Sequence, residues 1–277
     1  MFSCNQLDGT KEEKSAIDNT AKNINYTVNR HELLKNFMSW YKYTYDNIRL
    51  SDDFVGLDTD STIIKKSTFL HRLATGKFIP IKVMKRDDVN YYKLYKSSSA
   101  DADIERTLKE MASTAITYYA MEGKEIPAFD FFDLNGNEYN NTNTRGKIIV
   151  LKCWFIRCVA CVKEFPELNK LVDKYKSRND IAFISLAWET KQQLTAFLKT
   201  KEFKYAVVPD KDQKYMQEQW NVTTYPTHIL INKTGTIVKV VNTVNDLVPY
   251  IDKEASKTSL QTKQTHDPVE DLTTCMP

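Results

Sequence analysis

The chain has 277 residues, a net charge of +3 and an apolar fraction of 42%. Its length suits one large or two modest domains, and its apolar content excludes a wholly disordered chain. The near-neutral charge predicts no nucleic-acid partner, and no apolar stretch is long enough to cross a membrane as a helix.

The beginning of the chain, residues 1–28, is rich in polar side chains and is predicted to be a flexible leader. Its first residues, Met1-Phe2-Ser3-Cys4, resemble the end of a bacterial lipobox, in which a small residue precedes a lipid-bearing cysteine. Cys4 is therefore a candidate lipid anchor, and the leader a candidate remnant of an anchoring segment. The alternative is a free cysteine in a frayed terminus.

Residues 29–122 are predicted to form a small α+β domain. Apolar residues between 29 and 48 have helical spacing, whereas residues 69–84 have the composition of two strands interrupted at 74–77. A further strand is predicted over 89–95 and a long helix over 101–122. This domain carries no motif that indicates a chemistry.

Residues 125–257 are predicted to form a second domain in which strands and helices alternate. The turn sequence 232–235 joins two strands as a hairpin, so we expect a mixed α/β sheet flanked by helices. The tail 258–277 is expected to be disordered and its Cys275 to be incidental. The predicted strands are 129–134, 148–155, 181–187, 205–208, 227–231 and 236–241, and the predicted helices are 158–176, 190–200, 212–220 and 246–256.

The feature that indicates chemistry is the pair Cys158 and Cys161, placed where a buried strand ends and a helix begins. Unpaired backbone N–H groups and the positive end of the helix dipole favour a thiolate at this position. The pKa of Cys158 should therefore fall, and Cys158 should attack a disulfide from the exposed edge of the helix. Cys161, one turn further in, would resolve the mixed disulfide, and Arg157 adds a positive charge beside Cys158.

Several segments around this pair occur together in one known family. Residues 125–257 resemble the TlpA/ResA type of thiol-disulfide oxidoreductase, which has a thioredoxin-like fold, and residues 29–122 resemble poorly characterised extensions of related proteins from the Bacteroidetes. The segments that carry the resemblance are Pro127-Ala128-Phe129, Asp133-Leu134-Asn135-Gly136, Trp154 four residues before the first cysteine, Lys163-Glu164-Phe165-Pro166, and Tyr225-Pro226-Thr227 before the hairpin.

The resemblance implies that Pro226 is a cis-proline opposite the dithiol and that the backbone of Tyr225 receives the substrate peptide. Trp154 would either belong to the core or wall the dithiol and contact the substrate. The implied substrates are protein disulfides or dithiols, reduced with electrons from a membrane donor protein. The implied location is the periplasmic side of the cell envelope, with no cofactor and no metal.

Three positions are candidate modulators of the cysteine pKa values. Lys152 occupies the strand position where thioredoxin has a buried acid, although the preferred interpretation is a lysine that reaches solvent along its stem. Arg157 replaces a common aromatic residue, and Glu164 is by default a solvated helix charge. The dipeptide Val159-Ala160 lacks the family's usual proline, so the redox direction stays open.

Other functions fit the sequence less well. A zinc site needs four ligands, and Cys153, His228 and His71 lack metal-binding spacing. Cys153 is expected in the core, and His228 is expected to be structural. A peroxiredoxin needs Thr or Ser three residues before its cysteine, which this chain lacks. The competing function is an extracytoplasmic binding or assembly lipoprotein with a non-catalytic dithiol.

Overall fold

The computed structural model of the protein describes residues 28–98 and 101–264, with side chains up to residue 257. The chain divides into two compact units between Tyr119 and Ala120. Cys4, Cys275 and most of the predicted leader lie outside the described residues. Among the described helices, none combines the length and the apolar character needed to span a bilayer.

The first unit contains a four-stranded mixed sheet and helices that lie before, between and after its strands. Its elements are α1 (Arg30–Leu33), α2 (Phe37–Asn47), β1 (Phe54–Leu57), β2 (Ile63–Ile64), α3 (Lys66–Ala74), β3 (Phe78–Arg86), β4 (Val89–Lys96) and α4 (Ala102–Met121). The strand order is β2-β1-β4-β3, with β1 parallel to β4 and β3 antiparallel to β4.

The prediction of a strand at residues 69–73 is wrong, because this segment belongs to helix α3. Phe69, Leu70 and Leu73 are all fully buried, at the one- and four-residue spacing of a helix face. The helix packs so closely on β1 that a Cβ atom at Gly56 would lie 2.8 Å from the ring of Phe69. The short strands β1 and β2 were not predicted, since neither is long enough to show a period.

The second unit contains a five-stranded mixed sheet in the order β11-β10-β7-β8-β9. Strands β7, β8 and β9 are parallel, whereas β10 is antiparallel to both β7 and β11. Its elements are β5 (Asp130–Phe132), β6 (Glu138–Asn140), β7 (Ile148–Trp154), α5 (Val159–Lys163), α6 (Phe165–Lys174), β8 (Ile181–Ala187), α7 (Lys191–Leu198), β9 (Ala206–Val208), α8 (Gln213–Trp220), β10 (Thr227–Ile231), β11 (Ile237–Val241) and α9 (Val244–Gln264). The predicted mixed α/β sheet flanked by helices is confirmed.

The central strand β7 is buried at every one of its residues. On one face, Ile148 and Val150 pack with Leu168 and Leu171 of α6 and with Leu247 of α9. A strand covered in this way reads as a continuous apolar run, which is why residues 148–155 could be recognised from sequence.

Two predicted helices differ in extent from the observed ones. The helix expected over 158–176 is broken at Glu164, because Pro166 in the first turn of α6 has no N–H to continue the ladder of α5. The last helix, α9, continues to Gln264. The expectation of disorder from residue 258 is thus wrong as far as Gln264, and the remainder lies outside the described residues.

Candidate active site

Cys158 and Cys161 form a disulfide at the start of helix α5. Cys158 is the N-cap residue, and its Sγ accepts a hydrogen bond from the backbone N–H of Cys161 at an N···S distance of 3.2 Å. Cys158 is 8% exposed, whereas Cys161 is 0% exposed. An incoming sulfur can therefore approach Cys158 but not Cys161.

An apolar cluster surrounds the two cysteines. Trp154 belongs to it and is fully buried, with edge-on ring contacts to Phe165 at 4.9 Å and Phe203 at 5.7 Å. Trp154 therefore belongs to the core, the first of the two alternatives that the sequence left open, and the predicted contact with substrate is not available to its ring. It is the last residue of strand β7 and packs in the same apolar cluster as Cys158 and Cys161.

Three aromatic rings form an aromatic triad at the end of the sheet: Phe155, Trp188 and Tyr225. Phe155 stacks on Trp188 at 4.1 Å, and the Tyr225 ring meets both edge-on at 5.4 Å and 5.1 Å. Trp188 Nε1 donates a hydrogen bond to the Tyr225 hydroxyl over 3.1 Å. The Tyr225–Pro226 peptide bond is cis, and the half-buried Tyr225 packs on the cluster around the cysteines.

Sequence reasoning missed Phe155, Trp188 and Glu189 as parts of this site. The Oε1 atom of Glu189 accepts the Ile156 backbone N–H over 2.8 Å and so fixes the segment between β7 and the first cysteine. The sequence held a signal for them, because it predicted both strands that these residues follow or end, 148–155 and 181–187. In the structure, Trp154 and Ala187 are register partners at the ends of the parallel strands β7 and β8. Residues that follow two adjacent parallel strands lie side by side at one sheet edge.

A buried polar layer, formed by Lys152, Glu164 and His228, lies within the apolar core. Lys152 and His228 are register partners on β7 and β10, and Glu164 comes from the break between α5 and α6. Glu164 Oε2 lies 2.6 Å from Lys152 Nζ and 3.0 Å from His228 Nε2. Its Oε1 accepts the Val244 backbone N–H over 2.9 Å. Two side chains from different strands and one backbone N–H therefore share the carboxylate of Glu164.

The preferred sequence interpretations of Lys152 and Glu164 are both wrong. Lys152 does not reach solvent but is 0% exposed, and the Glu164 side chain is only 12% exposed. The covered central strand leaves the lysine no route outward. A buried ammonium group is stable only when an opposite charge pairs with it, and Glu164 supplies that charge.

Burial and mutual contacts shift the pKa values of the polar layer. Burial lowers the pKa of Lys152, against the opposing effect of Glu164. Burial by itself would raise the pKa of Glu164, but the contacts with His228 and Lys152 outweigh it and lower the pKa to about 2. Burial and the charge of Lys152 lower the pKa of His228 to about 4. At neutral pH the layer thus holds a carboxylate and a neutral imidazole.

His228 should make the protein sensitive to acid. Its pKa is about 4 in the folded protein against 6.5 ordinarily, so the unfolded chain binds a proton first as pH falls. This histidine should therefore remove about 3 kcal/mol of stability between pH 6.5 and 4, and none of that loss should appear above pH 6.5. His228→Asn keeps a donor for Glu164 but does not titrate. Its free energy of unfolding in urea should therefore fall between pH 7 and pH 4 by about 3 kcal/mol less than that of the unaltered protein.

The control for this prediction is His71→Asn, which changes an exposed histidine of the first unit. It should leave the difference in stability between pH 7 and pH 4 as it is in the unaltered protein. An equal acid loss in His228→Asn and in the unaltered protein would contradict the assignment.

The remaining polar candidates among the described residues make no hydrogen bond within the polar layer. Arg157 is exposed beside Cys158. Cys153 is a buried free thiol whose pKa burial raises to about 12, in line with the expected core position. Within residues 28–98 and 101–264, no three His, Cys, Asp or Glu side chains converge so as to hold a metal ion.

Comparison with known proteins identifies the family. Residues 123–240 match the model of the AhpC/TSA family. The thiol-disulfide oxidoreductase ResA of Bacillus cereus (strain ZK / E33L) is 34% identical over 135 residues, which are 47% of this chain and 77% of that protein. The chain belongs to the ResA family of thiol-disulfide oxidoreductases.

Other ResA relatives match the same part of the chain. ResA of Bacillus subtilis (strain 168) is 32% identical over 121 residues, which are 43% of this chain and 66% of that protein. Among solved structures, the thioredoxin domain of a thiol-disulfide oxidoreductase from Bacteroides vulgatus is similar with a TM-score of 0.43 and 24% identity. That match covers 48% of this chain and 96% of the other. The relationship to ResA, together with the five-stranded mixed sheet, makes this ResA family member a thioredoxin-like thiol-disulfide oxidoreductase.

Proposed function

We propose that this ResA family member reduces disulfide bonds of protein substrates, with Cys158 as the nucleophile and Cys161 as the resolving thiol. The observation that carries the proposal is the asymmetry of the pair. Only Cys158 reaches the surface, and its Sγ accepts the Cys161 N–H. A backbone N–H directed at sulfur at a helix start favours the thiolate, which is the attacking form.

The reaction starts from the reduced pair. The Cys158 thiolate attacks one substrate sulfur, so that a Cys158–substrate disulfide forms and the other substrate sulfur leaves as a thiolate. Cys161 then loses its proton and attacks the sulfur of Cys158. The substrate sulfur that was bonded to Cys158 leaves as the second thiolate. Two electrons pass from the dithiol to the substrate. The substrate thiolates take up one proton from Cys161 and one from solvent, and the Cys158–Cys161 disulfide is the oxidised product.

Tyr225 and Pro226 are proposed to receive the substrate peptide. The two residues belong to the loop before β10, and the Tyr225 ring lies in the aromatic triad beside the dithiol. Pro226 is itself buried, so we assign the contact with substrate to the loop backbone at Tyr225.

Lys152, Glu164 and Arg157 are proposed to tune the two thiols. The carboxylate of Glu164, three residues after Cys161, disfavours a second negative charge nearby, and the ammonium group of Lys152 offsets that effect. Arg157 favours the thiolate of Cys158. The polar layer would thereby separate the pKa values of the attacking and resolving thiols.

We further propose that the protein works on the periplasmic side of the cell envelope and receives electrons from a membrane thiol protein. Dithiol couples that act on structural disulfides operate where disulfides form, outside the cytoplasm. Cys4 is the proposed lipid anchor. In this organisation residues 125–257 carry the chemistry, and residues 29–122 form a separate α+β domain.

The test is equilibration of the purified protein against glutathione buffers, followed by alkylation and mass spectrometry. We expect the reduction potential of the Cys158–Cys161 couple to lie close to −270 mV, roughly the value of reductants such as thioredoxin. A potential near about −120 mV would instead indicate an oxidase. Cys153→Ser, at the free buried thiol, should leave the couple unchanged. Absence of a reversible couple would contradict the catalytic role and favour a binding lipoprotein.

A further inference from the structure

A groove with a volume of about 760 Å³ lies beside the dithiol, between helices α5 and α6 and the segment that follows α7. Val159, between the two cysteines, lines this groove and is 80% exposed. Single exposed apolar residues are ordinary on protein surfaces, but a concave apolar surface next to a reactive group indicates a binding site. The other apolar side chains of the groove are Ile156, Val162, Phe165 and Phe197.

The rim of the groove carries an excess of positive charge. Four lysines and two carboxylates line it, and both carboxylates, Asp173 and Glu202, lie against Lys204 at 2.7 Å and 3.8 Å. Among the described residues, Lys163 and Lys201 form no ion pair, and both are exposed. The groove therefore combines an apolar floor with two positive charges that no carboxylate offsets.

We propose that this groove binds the part of the substrate polypeptide next to its disulfide, and that it selects an apolar side chain followed by a carboxylate. The inference rests on the proposed function. Because Val159 is bonded to Cys158, a peptide held in a mixed disulfide with Cys158 can extend over α5 into the groove. The apolar side chain would contact the floor at Val159 and Phe197, and the carboxylate would lie near Lys163 and Lys201.

The groove differs from the loop at Tyr225 in what it contributes. The loop would hold the peptide backbone, which is common to all substrates, whereas the groove contacts side chains. It would therefore determine which disulfide is reduced, through the affinity for the substrate and the rate of encounter.

The test uses three short peptides, each joined through its cysteine to 2-nitro-5-thiobenzoate, whose release is coloured. The first has leucine and two glutamates after the cysteine, the second has leucine and two lysines, and the third has serine and two glutamates. With the reduced full-length protein, we expect kcat/KM for the first peptide to be about five- to tenfold higher than for the second. The difference should lie mainly in KM and should shrink at about 0.5 M salt.

Lys201→Glu provides the decisive variant, because it reverses one charge of the groove and lies far from both cysteines in sequence. It should remove most of the preference for the glutamate peptide. Lys199→Glu is the matched control, since Lys199 is exposed directly after helix α7, two residues before Lys201, but does not line the groove. Equal kcat/KM for all three peptides, or equal effects of the two variants, would overturn the groove proposal. Failure to release the chromophore from any peptide would instead overturn the proposed function.

Discussion

Cys158→Ser should lower the rate of disulfide reduction by on the order of a thousandfold or more, because a serine hydroxyl is not ionised at neutral pH and is a poor nucleophile toward sulfur. The buried Cys161 cannot take over, since none of its surface is exposed. The measurement is turnover of a protein disulfide, such as that of insulin, with a chemical dithiol as the electron source.

Cys161→Ser should fail differently, and this difference tests the order of the two cysteines. Cys158 remains able to attack, so the variant should accumulate a stable disulfide with its substrate, visible as an adduct by mass spectrometry. Cys153→Ser should retain the activity of the unaltered protein, because the Cys153 thiol is buried and its pKa is raised to about 12. Adducts on Cys161 in Cys158→Ser would show that the assignment of roles is reversed.

Lys152→Met should destabilise the folded protein by about 3–5 kcal/mol, the usual cost of leaving one partner of a buried ion pair alone. Methionine keeps the length of the lysine stem but removes the ammonium group 2.6 Å from Glu164. The pKa of Glu164 should rise as a result, because burial then opposes ionisation with only His228 and the Val244 N–H as partners. Urea unfolding of the oxidised protein at pH 7 measures the loss.

The control for this loss is the double variant Lys152→Met with Glu164→Gln, which has no buried charge in the polar layer. It should recover most of the lost stability, since apolar or neutral replacements of both partners of a buried pair cost little. Lys170→Met, which breaks the exposed pair with Glu167, should cost at most about 1 kcal/mol. If Lys152→Met and Lys170→Met lower the free energy of unfolding by the same amount, the buried ion pair does not contribute the predicted stability.

The polar layer also predicts a functional consequence of the same variants. Loss of the ammonium group leaves the Glu164 carboxylate, three residues after Cys161, without its lysine partner. The pH dependence of the second, resolving step should then shift to higher pH. A purely structural Lys152 would alter stability without moving this pH profile.

Particular elements show how far sequence reasoning reaches here. The apolar run 148–155 and the spacing of Cys158 and Cys161 are local features, and they predicted β7 and the start of α5 closely. The segment at Phe69 fits a strand as well as a helix, because a short apolar run does not distinguish a buried strand from a buried helix. The structure shows it to be helical, with Phe69, Leu70 and Leu73 buried on one face.

The sequence by itself determined the dithiol, its place at a strand end and the family, because these depend on residues that are neighbours along the chain. Only the tertiary structure decided the state of Lys152, whose partners Glu164 and His228 lie far from it in sequence. Only the tertiary structure shows, too, that Trp188 donates a hydrogen bond to Tyr225. The physical reason is that strand register and helix packing fix which distant side chains meet, and a buried charge depends on that meeting.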